Sequence, residues 1–168
     1  LTGGTSPTVT VAETAAGVTA WQSAGLISED GIELGIKESS KDVRAYGLAT
    51  AVRKIVTSTD VTFKTTFLES NLVSLAVSHR YPLVGVNALT ATAGEIKVTE
   101  GQFRAQRYAL VVDAVDGSNH IRYYAPSVEV SDRDSESIKA GEVVDHGITM
   151  TAYPDSNGIA VAKYYLVN

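Results

Sequence analysis

The sequence predicts a mainly β fold: an antiparallel β-sandwich or partial barrel with one short flanking α-helix and a long inter-strand loop. Val and Thr, which are branched at Cβ and favour strands, supply 21 and 17 of the 168 residues. Several segments alternate between apolar and polar residues with the period of a half-buried strand. Turn sequences rich in Gly, Asn and Asp separate these segments.

Three segments give the strongest strand patterns. Residues 60–67 and 147–153 each place apolar side chains on one face and polar side chains on the other, which predicts half-buried strands. Residues 108–115 are apolar on both faces, which predicts a central strand or one covered on both sides.

Turn sequences predict three antiparallel hairpins, because each supplies Gly or Asn for positive φ or a side chain that bonds its own backbone. They are Glu29-Asp30-Gly31 between 25–28 and 32–37, Asp116-Gly117-Ser118-Asn119 between 105–115 and 120–131, and 154–158 between 147–153 and 159–167.

One helix and two loops complete the predicted order of elements. Ser70 can cap a helix over 71–79, where three apolar residues fall at helical spacing and Pro82 follows as a stop signal. Residues 38–51 lack alternation and exceed the length that a hairpin needs, which predicts a loop that binds a partner or is disordered. The polar, acidic segment 131–137 predicts a solvated loop.

Length and composition exclude several classes of protein. The length fits one domain, 1–168, in which we expect residues 1–8 to form a flexible N-terminal segment. With no cysteine, the chain cannot form disulfides or thiolate metal sites. Charged residues at 20% and hydrophobic residues at 44% are typical of a globular protein rather than a disordered or membrane protein. The formal net charge of −5 disfavours a protein that grips duplex DNA.

Motifs for catalysis, phosphate binding and metal binding are missing from the sequence. The three histidines, His79, His120 and His146, lack metal-ligand spacing, so each is interpreted as a surface or edge-strand residue. Residues 132–136 resemble the opening of a calcium loop, but the sixth and twelfth positions are not the required Gly and Glu. We therefore expect no catalytic residue, no metal site and no cofactor, and a surface that serves self-assembly or partner binding.

Three stretches carry a resemblance to a known family: residues 28–33 preceded by Trp21, residues 42–71, and residues 149–165. Their order and spacing resemble the major tail tube protein of long-tailed bacteriophages with non-contractile tails. The resemblance covers nearly the whole chain and implies a structural virion protein, not an enzyme. It implies a β-sandwich that closes into hexameric rings by pairing sheets edge to edge, with rings stacked into a tube.

The resemblance also implies partners and a location. Double-stranded DNA passes through such a tube during ejection without sequence-specific binding. The other partners are a tape-measure protein inside the tube and the tail-tip and tail terminator proteins at its ends. Assembly takes place in the host cytoplasm, and no membrane is involved.

Two groups of residues are candidates for this function. The resemblance implies that the loop 38–51 reaches the neighbouring ring, and an acidic inner wall would repel DNA weakly and let it slide. The loop candidates are Glu38, Lys41, Asp42, Arg44, Tyr46, Arg53 and Lys54, and the lumen candidates are Glu29, Glu33 and Glu95.

Two alternatives stay open at this point. One is the tube protein of a contractile phage tail, a tail-like bacteriocin or a secretion device, with a sheath outside the same fold. The other is a monomeric β-sandwich that binds carbohydrate or a surface partner, for which Trp21 and the scattered tyrosines offer the exposed aromatic side chains.

Overall fold

The computed structural model describes residues 5–13, 21–101, 104–116 and 119–166, and these form ten strands and one helix. The elements are β1 (Thr5–Glu13), β2 (Gln22–Ser23), β3 (Ile27–Val43), β4 (Arg53–Phe67), α1 (Leu72–Ser78), β5 (Ala91–Thr92), β6 (Glu95–Ile96), β7 (Arg107–Asp116), β8 (Asn119–Arg133), β9 (His146–Ala152) and β10 (Ala162–Leu166). The predicted mainly β class with one short helix is confirmed.

Eight of the strands form one antiparallel sheet. Its order is β2-β1-β7-β8-β9-β4-β3, and β10 pairs with β8 beside this path. The sheet curls until β1 contacts β3, although among the described strands no hydrogen-bonded ladder joins the two. Strands β5 and β6 form a separate two-stranded sheet.

The concave face of the curled sheet holds the core. Predicted strand 60–67 lies within β4, where Phe63, Thr65 and Phe67 are buried as the alternation requires. Predicted strand 108–115 lies within β7, which is central between β1 and β8. Strand β9 contributes alternate buried side chains to the same core, from Ile148, Met150 and Ala152.

The hairpin predicted at Glu29-Asp30-Gly31 is wrong. Strand β3 runs through these residues, and its register with β4 shifts between Ile27 and Ile32. Gly31 has a φ of 71°, and its carbonyl accepts a hydrogen bond of 3.2 Å from the Thr65 hydroxyl. The turn sequence therefore forms an irregularity within one long strand, because β3 pairs with β4 both before and after residues 29–31.

The other two turn predictions have different outcomes. Strands β7 and β8 form the predicted hairpin, with Asp116 opposite Asn119, although residues 117–118 lie outside the described residues. At 154–158 the chain does turn, and the Asp155 carboxylate accepts hydrogen bonds from the amides of Asn157 and Ile159. The flanking strands do not pair with each other, because both β9 and β10 pair with β8.

The helix is capped one residue later than predicted. The Asn71 side chain accepts hydrogen bonds from the amides of Val73 and Ser74, and the Ser74 hydroxyl accepts one from the Asn71 amide. This reciprocal capping box is stronger than a single Ser cap. Ser70 instead lies 3.0 Å from the imidazole of His146.

The predicted N-terminal segment and the predicted loop at 131–137 can be compared with the observed bounds of β1 and β8. Of residues 1–8, residues 1–4 lie outside the described residues, and residues 5–8 belong to β1. The solvated loop predicted at 131–137 begins later, because β8 continues to Arg133 and the connection to β9 spans 134–145.

Candidate assembly surfaces

The long loop predicted at 38–51 is mostly a two-stranded extension of the sheet. Strand β3 continues to Val43 and β4 begins at Arg53, so only residues 44–52 form a loop. We call residues 38–60 the β-arm. Every side chain of the β-arm is exposed except that of Ala51, which is half-buried. The β-arm therefore contributes almost nothing to the core.

Cross-strand pairing explains why this polar sequence forms strands. Asp42 lies opposite Lys54 in the register, so opposite charges face each other. The Thr57 hydroxyl donates a 3.1 Å hydrogen bond to the carbonyl of Ser39, at the point where the register shifts. The Val52 amide donates to the Val43 carbonyl at 2.9 Å, which closes the base of the loop.

The β-arm combines these charges with exposed apolar side chains. Tyr46 at its tip is fully exposed, with a relative accessibility of 108%. The other exposed apolar side chains are Val43, Leu48, Val52, Ile55 and Val56. Apolar side chains gathered on a projecting hairpin are typical of an interaction surface.

The predicted loop residues occupy different parts of the β-arm. Asp42 is opposite Lys54 and also forms an exposed ion pair of 3.8 Å with Arg44. Some of these charges therefore already have partners within the chain. Three others face uncharged residues: Glu38 faces Thr59, Lys41 faces Ile55, and Arg53 faces Val43.

Strand β3 is also the end of the sheet. In the described part of the chain, no strand pairs with its outer edge along Ile27–Val43. A long unpaired edge is a template for pairing with another chain. The charged residues along β3 oppose indiscriminate pairing without covering the edge.

The three lumen candidates do not lie on one element. Glu29 and Glu33 are exposed on the first half of β3, and Glu33 is opposite Lys64 of β4. Glu95 is exposed on β6, in the separate two-stranded sheet.

A second surface brings together Trp21 and some of the tyrosines that the sequence offered as exposed aromatic side chains. Trp21 packs edge-on against Tyr124 with ring centroids 6.3 Å apart, and the register of β7, β8 and β10 brings further apolar side chains beside them. We call this set the aromatic surface; its members are Trp21, Val111, Tyr124, Tyr164 and Leu166.

The aromatic surface is exposed but rigidly framed. Trp21 is 48% exposed, and Tyr164 and Leu166 are more than half exposed. Beside them Arg122 donates two hydrogen bonds to Asp113, at 2.6 and 2.9 Å, which raises the pKa of Arg122. The sequence also holds Tyr-Tyr doublets at 123–124 and 164–165, but their spacing did not reveal that their strands are neighbours.

Comparison with known families identifies a family that covers nearly the whole chain. The chain matches the family model described as Phage tail tube protein over residues 2–167. A comparison with curated proteins finds no match. The described residues contain no helix with the length and hydropathy that crossing a membrane requires.

Proposed function

The chain belongs to the phage tail tube protein family, and from this premise we propose that it closes into hexameric rings that stack into the tube of a non-contractile tail. It is a structural component of the virion tail. In the proposed assembly, the β-arm reaches the neighbouring ring and the sheet edges join subunits within a ring. Double-stranded DNA passes through the tube during ejection.

The β-arm is the observation that most strongly supports this proposal. A two-stranded ribbon with both faces in water is marginally stable by itself. Here it projects from the sheet and exposes Tyr46, Leu48 and Val52 at its tip. Burial of these side chains against another subunit would supply the free energy that the isolated chain does not gain.

The unpaired edge of β3 supports contact within a ring. A head-to-tail contact between two different edges generates a closed ring when its rotation closes. Strand β10 offers a second edge, because it lies beside the main path of the sheet and pairs only with β8 among the described strands. Pairing around a ring would satisfy the main-chain groups of both edges.

The acidic balance of the chain supports free passage of DNA. A net charge of −5 per subunit, repeated around a tube, makes a wall that does not grip phosphates if its acids face inward. Glu29, Glu33 and Glu95 stay the proposed lumen residues. The tape-measure protein and the tail-tip and terminator proteins are the proposed partners, and the host cytoplasm is the proposed place of assembly.

Replacement of the β-arm tests the proposal. Residues 39–58 are exchanged for Asn-Gly, a two-residue hairpin turn, between Glu38 and Thr59, which are already cross-strand partners. We expect a folded monomer, identified by a single cooperative urea-unfolding transition, that forms no tubes in negative-stain electron microscopy at concentrations where the parent chain does. Three-dimensional reconstruction of the parent tubes shows whether Glu29 and Glu33 face the channel.

A matched control replaces the exposed residues 137–143 with a Gly-Ser segment of equal length, and this variant should still form tubes. Tubes of normal length from the variant without the β-arm would remove the β-arm from the mechanism. A parent chain that stays at 17.7 kDa in light scattering at all concentrations would favour the monomeric binding module. A sheath protein in purified particles would favour a contractile tail.

A further inference from the structure

Two histidines from distant parts of the sequence face one carboxylate. His79 follows α1, His146 begins β9, and Glu136 lies in the connection 134–145. His146 Nδ1 lies 3.1 Å from Glu136 Oε1, and His79 Nε2 lies 3.7 Å from the same oxygen. One ligand atom from each of the three residues lies within 4.8 Å of the other two.

Neighbouring groups orient both imidazoles toward this point. His79 Nδ1 is hydrogen-bonded to Glu100, so its Nε2 is the nitrogen directed at Glu136. His146 Nε2 lies 3.0 Å from the Ser70 hydroxyl, so its Nδ1 is the nitrogen directed at Glu136. Such outer partners fix the tautomer and the ring orientation of metal-binding histidines.

Glu100 is suited to hold His79 in this orientation. The Glu100 carboxylate is hydrogen-bonded both to His79 Nδ1 and to Arg133, so it lies directly behind the His79 ring. Arg133 donates to Glu100 at 2.8 Å, so the ion pair offsets much of its positive charge beside the cluster. The resulting arrangement, a carboxylate behind a histidine, is common in zinc proteins.

Two of the three ligand–ligand distances are close to those around a small cation. Ligands about 2.0–2.1 Å from a tetrahedral Zn²⁺ lie roughly 3.3 Å apart. The two distances to Glu136 Oε1, 3.1 and 3.7 Å, are close to this value before any adjustment. Two imidazoles and one carboxylate form a ligand set that zinc uses in proteins, with water in the fourth position.

Burial also distinguishes the cluster from ordinary surface charges. The side chains of His79 and His146 are 11% and 6% exposed, whereas that of Glu136 is 44% exposed and leaves access from solvent. Asp134 lines the same pocket and forms an ion pair of 3.6 Å with Lys64. Ser78 also lines it, and its buried hydroxyl has no hydrogen-bond partner among the described residues.

We propose that His79, Glu136 and His146 bind a Zn²⁺ ion, which fastens the connection 134–145 to the end of α1 and the start of β9. The ion joins the exposed carboxylate of Glu136 to two largely buried imidazoles, and it thereby links three elements of the fold. The proposal departs from the expectation that the sequence has no metal site. It does not depend on the proposed tube assembly.

Zn²⁺ titration of the metal-free, untagged chain tests the site. We expect one equivalent to bind in competition with a chromogenic chelator and to raise the midpoint of thermal unfolding. Co²⁺ substituted for Zn²⁺ should give the intense visible absorption of a four-coordinate site. Glu136→Gln and His79→Gln should each weaken binding by more than about tenfold, because each removes a ligand.

Matched controls use groups of the same type outside the cluster. His120→Gln alters the remaining histidine, which lies beside Asp113, and Glu142→Gln alters another carboxylate in the same connection. Both should leave Zn²⁺ affinity unchanged. Glu136 is exposed enough that its variant should fold, which circular dichroism without metal checks. The proposal is overturned if no equivalent binds, if Glu136→Gln and His79→Gln bind like the parent, or if His120→Gln loses binding equally.

Discussion

The two ends of the β3–β4 hairpin share one ladder but lie in opposite environments. At one end β4 also pairs with β9, and Phe63, Thr65 and Phe67 are buried in the core. At the other end, in the β-arm, the two strands pair only with each other, and their side chains are in solvent. The backbone conformation is the same, so the difference lies in what packs against it.

This contrast separates residues that hold the fold from residues that are available to a partner. The buried end gains free energy from apolar burial within the chain. The β-arm gains only main-chain hydrogen bonds and cross-strand contacts, which are weak in water. Its stability in the isolated chain therefore depends on the anchored end, and its apolar side chains do not stabilise the monomer.

The largest expected effect is a loss of free energy of unfolding when a side chain is truncated at the buried end of the β3–β4 hairpin. The same kind of truncation in the β-arm should cost little. Phe63→Ala should lower the free energy of unfolding by about 3–5 kcal/mol, because it leaves a cavity in the core. Val56→Ala, on the β-arm, should change it by less than about 0.5 kcal/mol, because Val56 is 55% exposed. Urea denaturation followed by circular dichroism measures both.

Phe63→Leu serves as the control for the core variant, because it keeps most of the apolar volume and should cost less than Phe63→Ala. A loss of more than about 2 kcal/mol for Val56→Ala would contradict the comparison. It would mean that the β-arm packs against the core in solution.

The buried end was predictable from sequence and the β-arm was not, for a physical reason. Alternation of apolar and polar residues records that one face of a strand is buried. Residues 60–67 show this alternation. In the β-arm both faces are in water, so apolar and polar residues need not alternate. The same limit explains the false hairpin at 29–31, because the turn sequence was visible but its continuous partner β4 was not.

The aromatic surface and the cluster of His79, Glu136 and His146 both depend on contacts between residues that are far apart in the sequence. Trp21 meets Tyr124, and His79 meets His146, only after the sheet is assembled. No short motif connects the members of either pair, and local spacing therefore gave no signal. The family resemblance includes Trp21, but it does not pair Trp21 with Tyr124 or His79 with His146.

A substitution at the tip of the β-arm should have a smaller effect, and this effect should be on assembly and not on folding. Tyr46→Ser should raise the concentration needed for tube formation about tenfold, equivalent to ~1.4 kcal/mol per subunit, because interface tyrosines contribute strongly to binding. The free energy of unfolding should not change, since Tyr46 is fully exposed. Sedimentation of tubes over a concentration series measures the first quantity.

Val86→Ser is the matched control for the tip, because Val86 is equally exposed at 103% but lies outside the β-arm. Its critical concentration should equal that of the parent chain. Equal shifts for the two variants would show that general surface hydrophobicity, and not the β-arm, drives assembly.

The smallest expected effect concerns how the β-arm keeps its shape without a core. Asp42→Lys places a second positive charge opposite Lys54 and removes the ion pair with Arg44, which should destabilise the β-arm by about 0.2–1 kcal/mol. Faster exchange of the hydrogen-bonded amides within residues 41–43 and 53–55 would report this local change, while exchange at Phe63 should stay the same. Adding Lys54→Asp restores opposite charges across the strands and should recover most of the protection. If the double variant exchanges as fast as Asp42→Lys, cross-strand charge does not set the register, and the main-chain ladder anchored at the core holds the β-arm by itself.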